Sequence, residues 1–387
     1  MKSKKEIQVL YIITKLELGG AQKVCISLFE GLKSSGHESF LISGHNDGPL
    51  VKKVESNPNA ILLKSLKREV SIYNIFLEIQ NFLALTKKIR SIKLENQNLI
   101  VHTHSTKAGL IGRWAAFFAG IKTRIHTVHG FGFHDYQNKI GWVINYFLEL
   151  ITSFITTHYV CVSSQDVKTG IKLLPNFSNK NSIIRAAVDN EQFYSPAKEI
   201  KNLNTGNLTS NKSPFIFGTI ACFKKQKNLF DLFNAFEYAY LQNHNIKLEI
   251  LGDGHLRPEL EKWICEHDLK NKIVLHGWQD NVPKFMQKWN AYVSSSLWEG
   301  LPCAIIEARL LKLPVLSYKT GGIHEIISNG QNGFLYPQKN WKELASGMLA
   351  ISGNQYLYKK LSEHEEDLSD FNNRSMINNH IDLYKNL

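Results

Sequence analysis

Short apolar runs alternate with longer stretches of helical spacing along almost the whole chain. Residues 8–14, 39–43, 61–63, 99–101, 124–127 and 158–163 read as strands. Residues 24–33, 72–92 and 110–119 carry apolar positions at helical spacing between them. Strand alternating with helix in this way predicts a parallel, doubly wound sheet. A second pattern of the same kind begins at 215–221. It runs through helices at 231–243 and 258–267, with strands at 247–251, 273–276, 291–294 and 315–317. The last segment, 341–387, reads as helical. Residues 195–214 are rich in Asn, Ser, Lys and Thr without an apolar period, which marks a linker. The expected architecture is α/β, with two doubly wound domains joined by a hinge.

Sheets of this kind bind ligands off the carboxyl ends of their strands. Several unusual residues fall there. Gly19 and Gly20 follow the first strand and let a ligand approach the backbone. A tight βα turn is the alternative use of such a pair. His104 and His129 also stand at strand ends. The stretch 294–307, S-S-S-L-W-E-G-L-P-C-A-I-I-E, is the most informative. It puts Glu299 and Gly300 in the turn between a strand and a helix, with Pro302 in the helix's expected first turn. Unpaired first-turn amides and the helix dipole favour an anion there. Glu307 lies further into the helix and interrupts an apolar run, A-I-I-E-A, which a solvated helix face would not do. Two carboxylates beside free amides suit a sugar carrying a phosphate. Solvated surface acids are the other reading.

At 387 residues the chain is comfortable for two domains. Its five cysteines are scattered, with no C-x-x-C pair, which points to a reducing compartment and no structural zinc. The N-terminus, M-K-S-K-K-E, leads into an apolar run too short for a signal-peptide core, so it reads as the first buried strand. The net charge of +12 is uneven: residues 1–190 hold +11 and residues 191–387 hold +1. A basic half suits nucleic acid, an anionic membrane or a phosphorylated substrate. No zinc finger or RNP-type motif is present, so nucleic acid is the weakest of the three. Residues 140–157 are apolar and aromatic with Glu149 as their one charge. The stretch is short for a membrane span and predicts a buried helix, or one dipping into a membrane face.

Three further groups carry candidate chemistry. C-F-K-K-Q-K-N, residues 222–228, follows a buried strand with Lys224, Lys225 and Lys227, which can clamp a diphosphate or form an ordinary basic loop. G-D-G-H-L-R, residues 252–257, is a weak match to a dinucleotide fingerprint because Arg257 stands in its third glycine position. His102, His104, His126, His129 and His134, with Asp135, allow a metal-dependent hydrolase, although further ligands from later strands are not evident. There is no D-x-D, so a sugar nucleotide would be held by cations and helix dipoles rather than through a divalent metal.

Together these residues resemble the retaining glycosyltransferases of the GT-B fold, family GT4. The second half carries Glu299 and Glu307 as the family's E-x7-E, then T-G-G-I-H-E-I-I and N-G-F-L-Y-P in the family's order. The first half, through L-G-G-A-Q, H-T-H-S-T-K-A-G-L-I-G-R and H-T-V-H-G-F-G-F-H, looks like members that build bacterial surface polysaccharides such as O-antigen and capsule. The resemblance implies two Rossmann-like doubly wound domains facing a cleft. Residues 1–194 would take the acceptor, 195–214 would link, 215–370 would take the nucleotide-sugar, and 371–387 would cross back as a helix. Glu307 would hold the donor ribose. Glu299, with the amides of Gly300, Leu301, Pro302 and Cys303, would hold the donor sugar. His129 would contact the sugar near the reacting centre, Gly19 and Gly20 would meet the diphosphate, and Lys227 would neutralise it as it leaves. The family's usual arginine five residues before that lysine is Cys222 here, so Lys224 or Lys225 would replace its charge. The resemblance implies no metal or cofactor, a UDP-sugar donor, and a glycan or undecaprenyl-diphosphate-linked acceptor. It implies a cytoplasmic protein, peripheral on the inner, anionic membrane face. A sugar-nucleotide epimerase on the same fold and a non-catalytic sugar-binding protein are the remaining alternatives.

Overall fold

A computed structural model describes residues 6–44, 48, 50–66, 75–193 and 213–387. The linker stretch 195–214 lies outside these, save for its last two residues. Contacts divide the chain into two compact units, residues 1–187 with 370–387 and residues 188–369.

The first unit is built on seven parallel strands: β1 (Gln8–Ile13), β2 (Glu38–Gly44), β3 (Ala60–Leu63), β4 (Ile100–His104), β5 (Arg124–Val128), β6 (His158–Cys161) and β7 (Asn181–Ile183). Their spatial order is β3-β2-β1-β4-β5-β6-β7. Helices α1 (Gly20–Ser34), α2 (Val51–Val54), α3 (Ile75–Glu95), α4 (Thr106–Phe118), α5 (Lys139–Ser153) and α6 (Ser164–Leu173) lie between successive strands. β1 pairs with β2 on one side and β4 on the other, and Val9 to Ile13 are wholly buried. A parallel strand covered on both faces needs an unbroken apolar run rather than alternation, and this is why 8–14 was legible as a strand. The edge strand β7, N-S-I, carries no such pattern and was not expected.

The second unit begins with the short helix α7 (Asn190–Phe193). Its six parallel strands are β8 (Phe215–Ile220), β9 (Ile246–Leu251), β10 (Ile273–Leu275), β11 (Ala291–Ser294), β12 (Val315–Tyr318) and β13 (Gly333–Tyr336), in the order β10-β9-β8-β11-β12-β13. β13 was a further unexpected edge strand. The helices are α8 (Leu229–Tyr240), α9 (Arg257–Glu266), α10 (Val282–Met286), α11 (Cys303–Leu310), α12 (Trp341–Gly353) and α13 (Gln355–Ser362). Phe217, Phe233, Phe236 and Met348 lie at the centre of its core, all fully buried. The last helix, α14 (Asn373–Asn386), belongs to the first unit. There Tyr384 bonds the Tyr11 hydroxyl at 3.1 Å, and Ile377 packs on Gly31 of α1, where a Cβ would meet it at 2.3 Å.

The charge inside the apolar segment 140–157 has a structural explanation. Glu149 of α5 is buried and takes a bidentate bond from Arg113 of α4, at 2.8 and 2.7 Å. Arg113 is fully buried and also donates to Gly109 O, Thr156 Oγ1 and the Tyr159 hydroxyl. The pair therefore joins α4, α5 and β6. Removing one partner leaves an uncompensated buried charge. Glu149→Ala should lower the unfolding free energy by about 3–5 kcal/mol, measured by urea unfolding. A loss below about 1 kcal/mol would mean that the pair acts like an exposed one.

Candidate active site

In the second unit the strand order reverses between β8 and β11. Such a switch point opens a crevice at the strands' carboxyl ends. The loop after β8 brings Lys227 to it, and the loop after β11 brings Glu299. Lys227 Nζ meets Glu299 Oε1 at 2.5 Å. Other bonds fasten the two loops together. Gln226 Nε2 donates to Trp298 O at 2.7 Å, Leu297 N donates to Gln226 O at 2.8 Å, and Ser295 Oγ lies 2.9 Å from both Lys227 O and Asn228 O. Asn228 takes a left-handed conformation, φ 47°, and turns the chain from the short Lys225–Lys227 3-10 turn into α8. Asparagine tolerates that geometry better than most residues.

Burial alone would lower the Lys227 ammonium. The Glu299 carboxylate, with Tyr292 and Cys222 adding to it, outweighs burial and holds the group above its ordinary value. Lys227 is therefore a fixed cation at physiological pH. Lys225 is exposed, and Lys224 is half-buried at the start of the turn. Lys227 is the one of the three that bonds Glu299.

The Glu299 side chain is 11% exposed, and Glu307 on α11 is 3% exposed, so neither is a solvated surface acid. Pro302 departs slightly from expectation. It is the N-cap of α11, with φ −78° and ψ 104°, and the helix starts at Cys303. Proline's fixed φ suits this extended position. It carries no N–H, so among residues 300–303 the amides belong to Gly300, Leu301 and Cys303.

A third segment supports this loop, and sequence reasoning gave its glycines no role. After β12, Thr320 Oγ1 donates to Leu297 O at 3.1 Å, and Gly322 N donates to Gly300 O at 2.7 Å. Gly321 has φ +50°, and a Cβ there would lie 2.0 Å from Glu299 O. The T-G-G run is thus a backbone shelf beneath Glu299. The signal for it in the sequence was the doubled glycine separated by two residues from the strand before it. Gly321→Ala should displace the loop, destabilise the protein by about 1–3 kcal/mol, and weaken ligand binding at Glu299. Unchanged stability would show that the shelf yields without strain.

The first unit has its own switch point, between β1 and β4. Gly19 caps α1 with φ −102° and ψ 160°, and Gly20 is the helix's first residue. Thr14 Oγ1 lies 3.0 Å from Ser105 Oγ, linking the ends of β1 and β4, and Ser105 has a left-handed φ of 65°. His129 follows β5, and its Nε2 lies 3.0 Å from His104 Nδ1.

The histidines behind it form a buried ladder. His102 and His104 stack with ring centroids 4.6 Å apart, and His380 of α14 lies 5.6 Å from His102. His102 bonds the Tyr384 hydroxyl and Thr127 Oγ1, each at 2.7 Å, and His126 bonds Thr103 Oγ1 at 2.9 Å. These rings serve the packing of β4, β5 and α14. Among the described residues no three His, Cys, Asp or Glu side chains group as a metal site. His134 stands apart on a loop, where burial lowers it and Asp135 partly offsets the shift.

Burial holds the ladder neutral, helped by neighbouring histidines at His102, His104 and His129 and by the Arg113 charge at His126. His129 is pushed down to about 3, burial lowers His380 to about 4, and His102, His104 and His126 lie well below the ordinary 6.5. Unfolded histidines take up protons below 6.5, whereas the folded ones do not until the pH is much lower. The histidine contribution to stability is thus fully present above 6.5 and is lost as pH falls towards the folded values. The opening free energy of β4 and β5 amides, from hydrogen exchange, should fall between pH 6.5 and about 4. The slope should approach about 1.4 kcal/mol per pH unit for each proton taken up. A flat profile would contradict neutral burial.

Two family models match the chain. "Glycosyltransferase Family 4" covers residues 18–192 and "Glycosyl transferases group 1" covers residues 201–367. An Escherichia coli UDP-Gal:alpha-D-GlcNAc-diphosphoundecaprenol alpha-1,3-galactosyltransferase is 29% identical, over 91% of this chain and 89% of its own length. The Staphylococcus aureus capsular polysaccharide glycosyltransferase CapM is 22% identical, over 87% and 86%. Among solved structures, HepE of Anabaena in complex with UDP-glucose superposes with a TM-score of 0.80 at 16% identity, over 99% of this chain and 100% of its own.

Proposed function

The chain belongs to the family 4 glycosyltransferases of GT-B fold, and from that premise we propose that it moves a sugar from a UDP-linked donor to a lipid-linked glycan, with retention and without a metal. The observation that carries this reading is the Lys227–Glu299 pair at the β8/β11 switch point, beside the start of α11. Lys227 occupies Glu299 Oε1 and leaves Oε2 to accept from a sugar hydroxyl. The amides of Gly300, Leu301 and Cys303 favour the same ligand, and Glu307 takes the ribose hydroxyls. The C1–O bond to phosphate breaks through an oxocarbenium-like state. Lys227 offsets the charge that gathers on the departing diphosphate. The acceptor hydroxyl attacks from the face the diphosphate leaves, and a leaving phosphate oxygen takes its proton. In the first unit, Gly19 and Gly20 present backbone without side chains at the start of α1, and His129 is a neutral ring that can bond a hydroxyl without adding charge.

The identity of the substrates draws support from relatives. The E. coli protein is named for a UDP-galactose donor and a diphosphoundecaprenol acceptor, and CapM for capsular polysaccharide. An acceptor of that kind puts the enzyme at the inner face of the plasma membrane, in surface-polysaccharide synthesis. The epimerase alternative is not favoured, since the matching family descriptions are of transferases.

The test is a donor screen with the purified protein, UDP- and GDP-sugars, and EDTA present or absent. Selective binding of one UDP-sugar with slow hydrolysis, insensitive to EDTA, is expected. Lys227→Ala should then lower turnover by about a hundredfold or more. Activity abolished by EDTA would overturn the metal-free mechanism, and near-normal turnover of the variant would overturn the role of Lys227.

A further inference from the structure

Helix α5 is amphipathic the wrong way round. Three of its polar side chains point inwards: Glu149 pairs with Arg113, Thr152 Oγ1 accepts from Trp114 Nε1, and Ser153 is buried. Its apolar residues Ile140, Val143, Ile144, Phe147, Leu148 and Ile151 are exposed, Ile140 by 75% and Phe147 by 53%. They recur three and four apart and form one continuous stripe. Phe154, just past the helix, extends it at 68% exposure. In a globular domain such a stripe ordinarily faces the core.

The stripe continues onto the neighbouring helices. Phe117 and Phe118 at the end of α4 are exposed, and Trp114 contacts both rings. Phe118 meets Phe82 of α3 edge-on at 6.0 Å, and on α3 Phe76, Ile79 and Leu83 are exposed. Basic residues border this surface. Lys87, Lys88, Arg90 and Lys93 stand on α3, the Arg124 guanidinium lies 5.5 Å over the Phe117 ring, and Lys139 opens α5. Of the three carboxylates on these helices, Glu78 is spent on Lys107 and Glu149 on Arg113, which leaves Glu95 against six bases. The border is therefore positive.

We propose that the exposed apolar face of α5, with the adjoining ends of α3 and α4, is an interfacial docking surface for an anionic lipid bilayer. The inference rests on the reading of a lipid-linked acceptor and adds where the chain meets the lipid. At 15 residues α5 is short of the roughly 20 needed to span a bilayer, and no described helix is long and apolar enough to cross one. A stripe of this kind lies in the interface plane, and a basic border adds attraction to anionic headgroups. A second copy of the chain fits less well. A two-fold interface on this face would bring one basic border towards its twin.

The test is sedimentation of the full-length protein with phosphatidylcholine vesicles, with and without phosphatidylglycerol. Partitioning into the anionic vesicles, reduced at high salt, is expected. The double variant Ile144→Glu, Phe147→Glu should lower the partition coefficient about tenfold or more, while slow hydrolysis of soluble donor stays at the wild-type rate. That rate reports folding and the transferase reading separately from docking. Equal partitioning of variant and wild type would overturn the proposal. So would binding to neither vesicle, or a wild-type dimer in solution that the variant splits.

Discussion

One ion pair organises the second unit's working end. Lys227 and Glu299 leave adjacent strands at a switch point, where the sheet's own hydrogen bonds have stopped and nothing in the ladder holds the two loops together. The pair is half-shielded from water, so its attraction is stronger than at a surface, and neutral bonds from Gln226 and Ser295 fix its geometry. The Gly321 shelf then limits where the Glu299 backbone can go. A carboxylate and an ammonium held in this way need little reorganisation when charge develops nearby, which is the condition under which electrostatic stabilisation is effective.

The first unit meets a different requirement at its own switch point. Its strand ends are filled with imidazoles in an environment that disfavours their charged form. A neutral ring both donates and accepts, so His104 Nδ1 and His129 Nε2 can share a hydrogen bond without a buried ion. Helix α14 completes this arrangement by bringing Tyr384 to His102 and His380 into the stack. The last turns of the chain therefore support a site formed near its beginning.

The central strands and the acid pair were legible because their signals are local. An apolar run needs no partner to be read, and Glu299 and Glu307 announce themselves by neighbours unsuited to a surface. What was not legible depended on distant pairing. Glu149 looked like one charge in an apolar segment because Arg113 lies 36 residues away. The edge strands β7 and β13 are too short to show a period, and the ladder's structural role appears only when β4, β5 and α14 are brought together. The roles of Gly321 and Gly322 depend on a loop more than twenty residues earlier, so a doubled glycine alone could not reveal them.

The inverted helix α5 follows from the same logic of pairing. Once Arg113 is committed to the interior, its charge needs a carboxylate, and α5 supplies one from its inward face. That commitment turns the polar side of α5 inwards and fixes its rotation about its own axis. The apolar side then faces outwards, since no other element covers it among the described residues. An outward apolar stripe is a liability for a chain in water, and a basic border does nothing to bury it. The two features favour the same outcome where an apolar layer lies beneath an anionic surface. The uneven charge of the two halves is consistent with this: the +11 lies in residues 1–190, with the stripe, while residues 191–387 are near neutral and carry the Lys227–Glu299 pair.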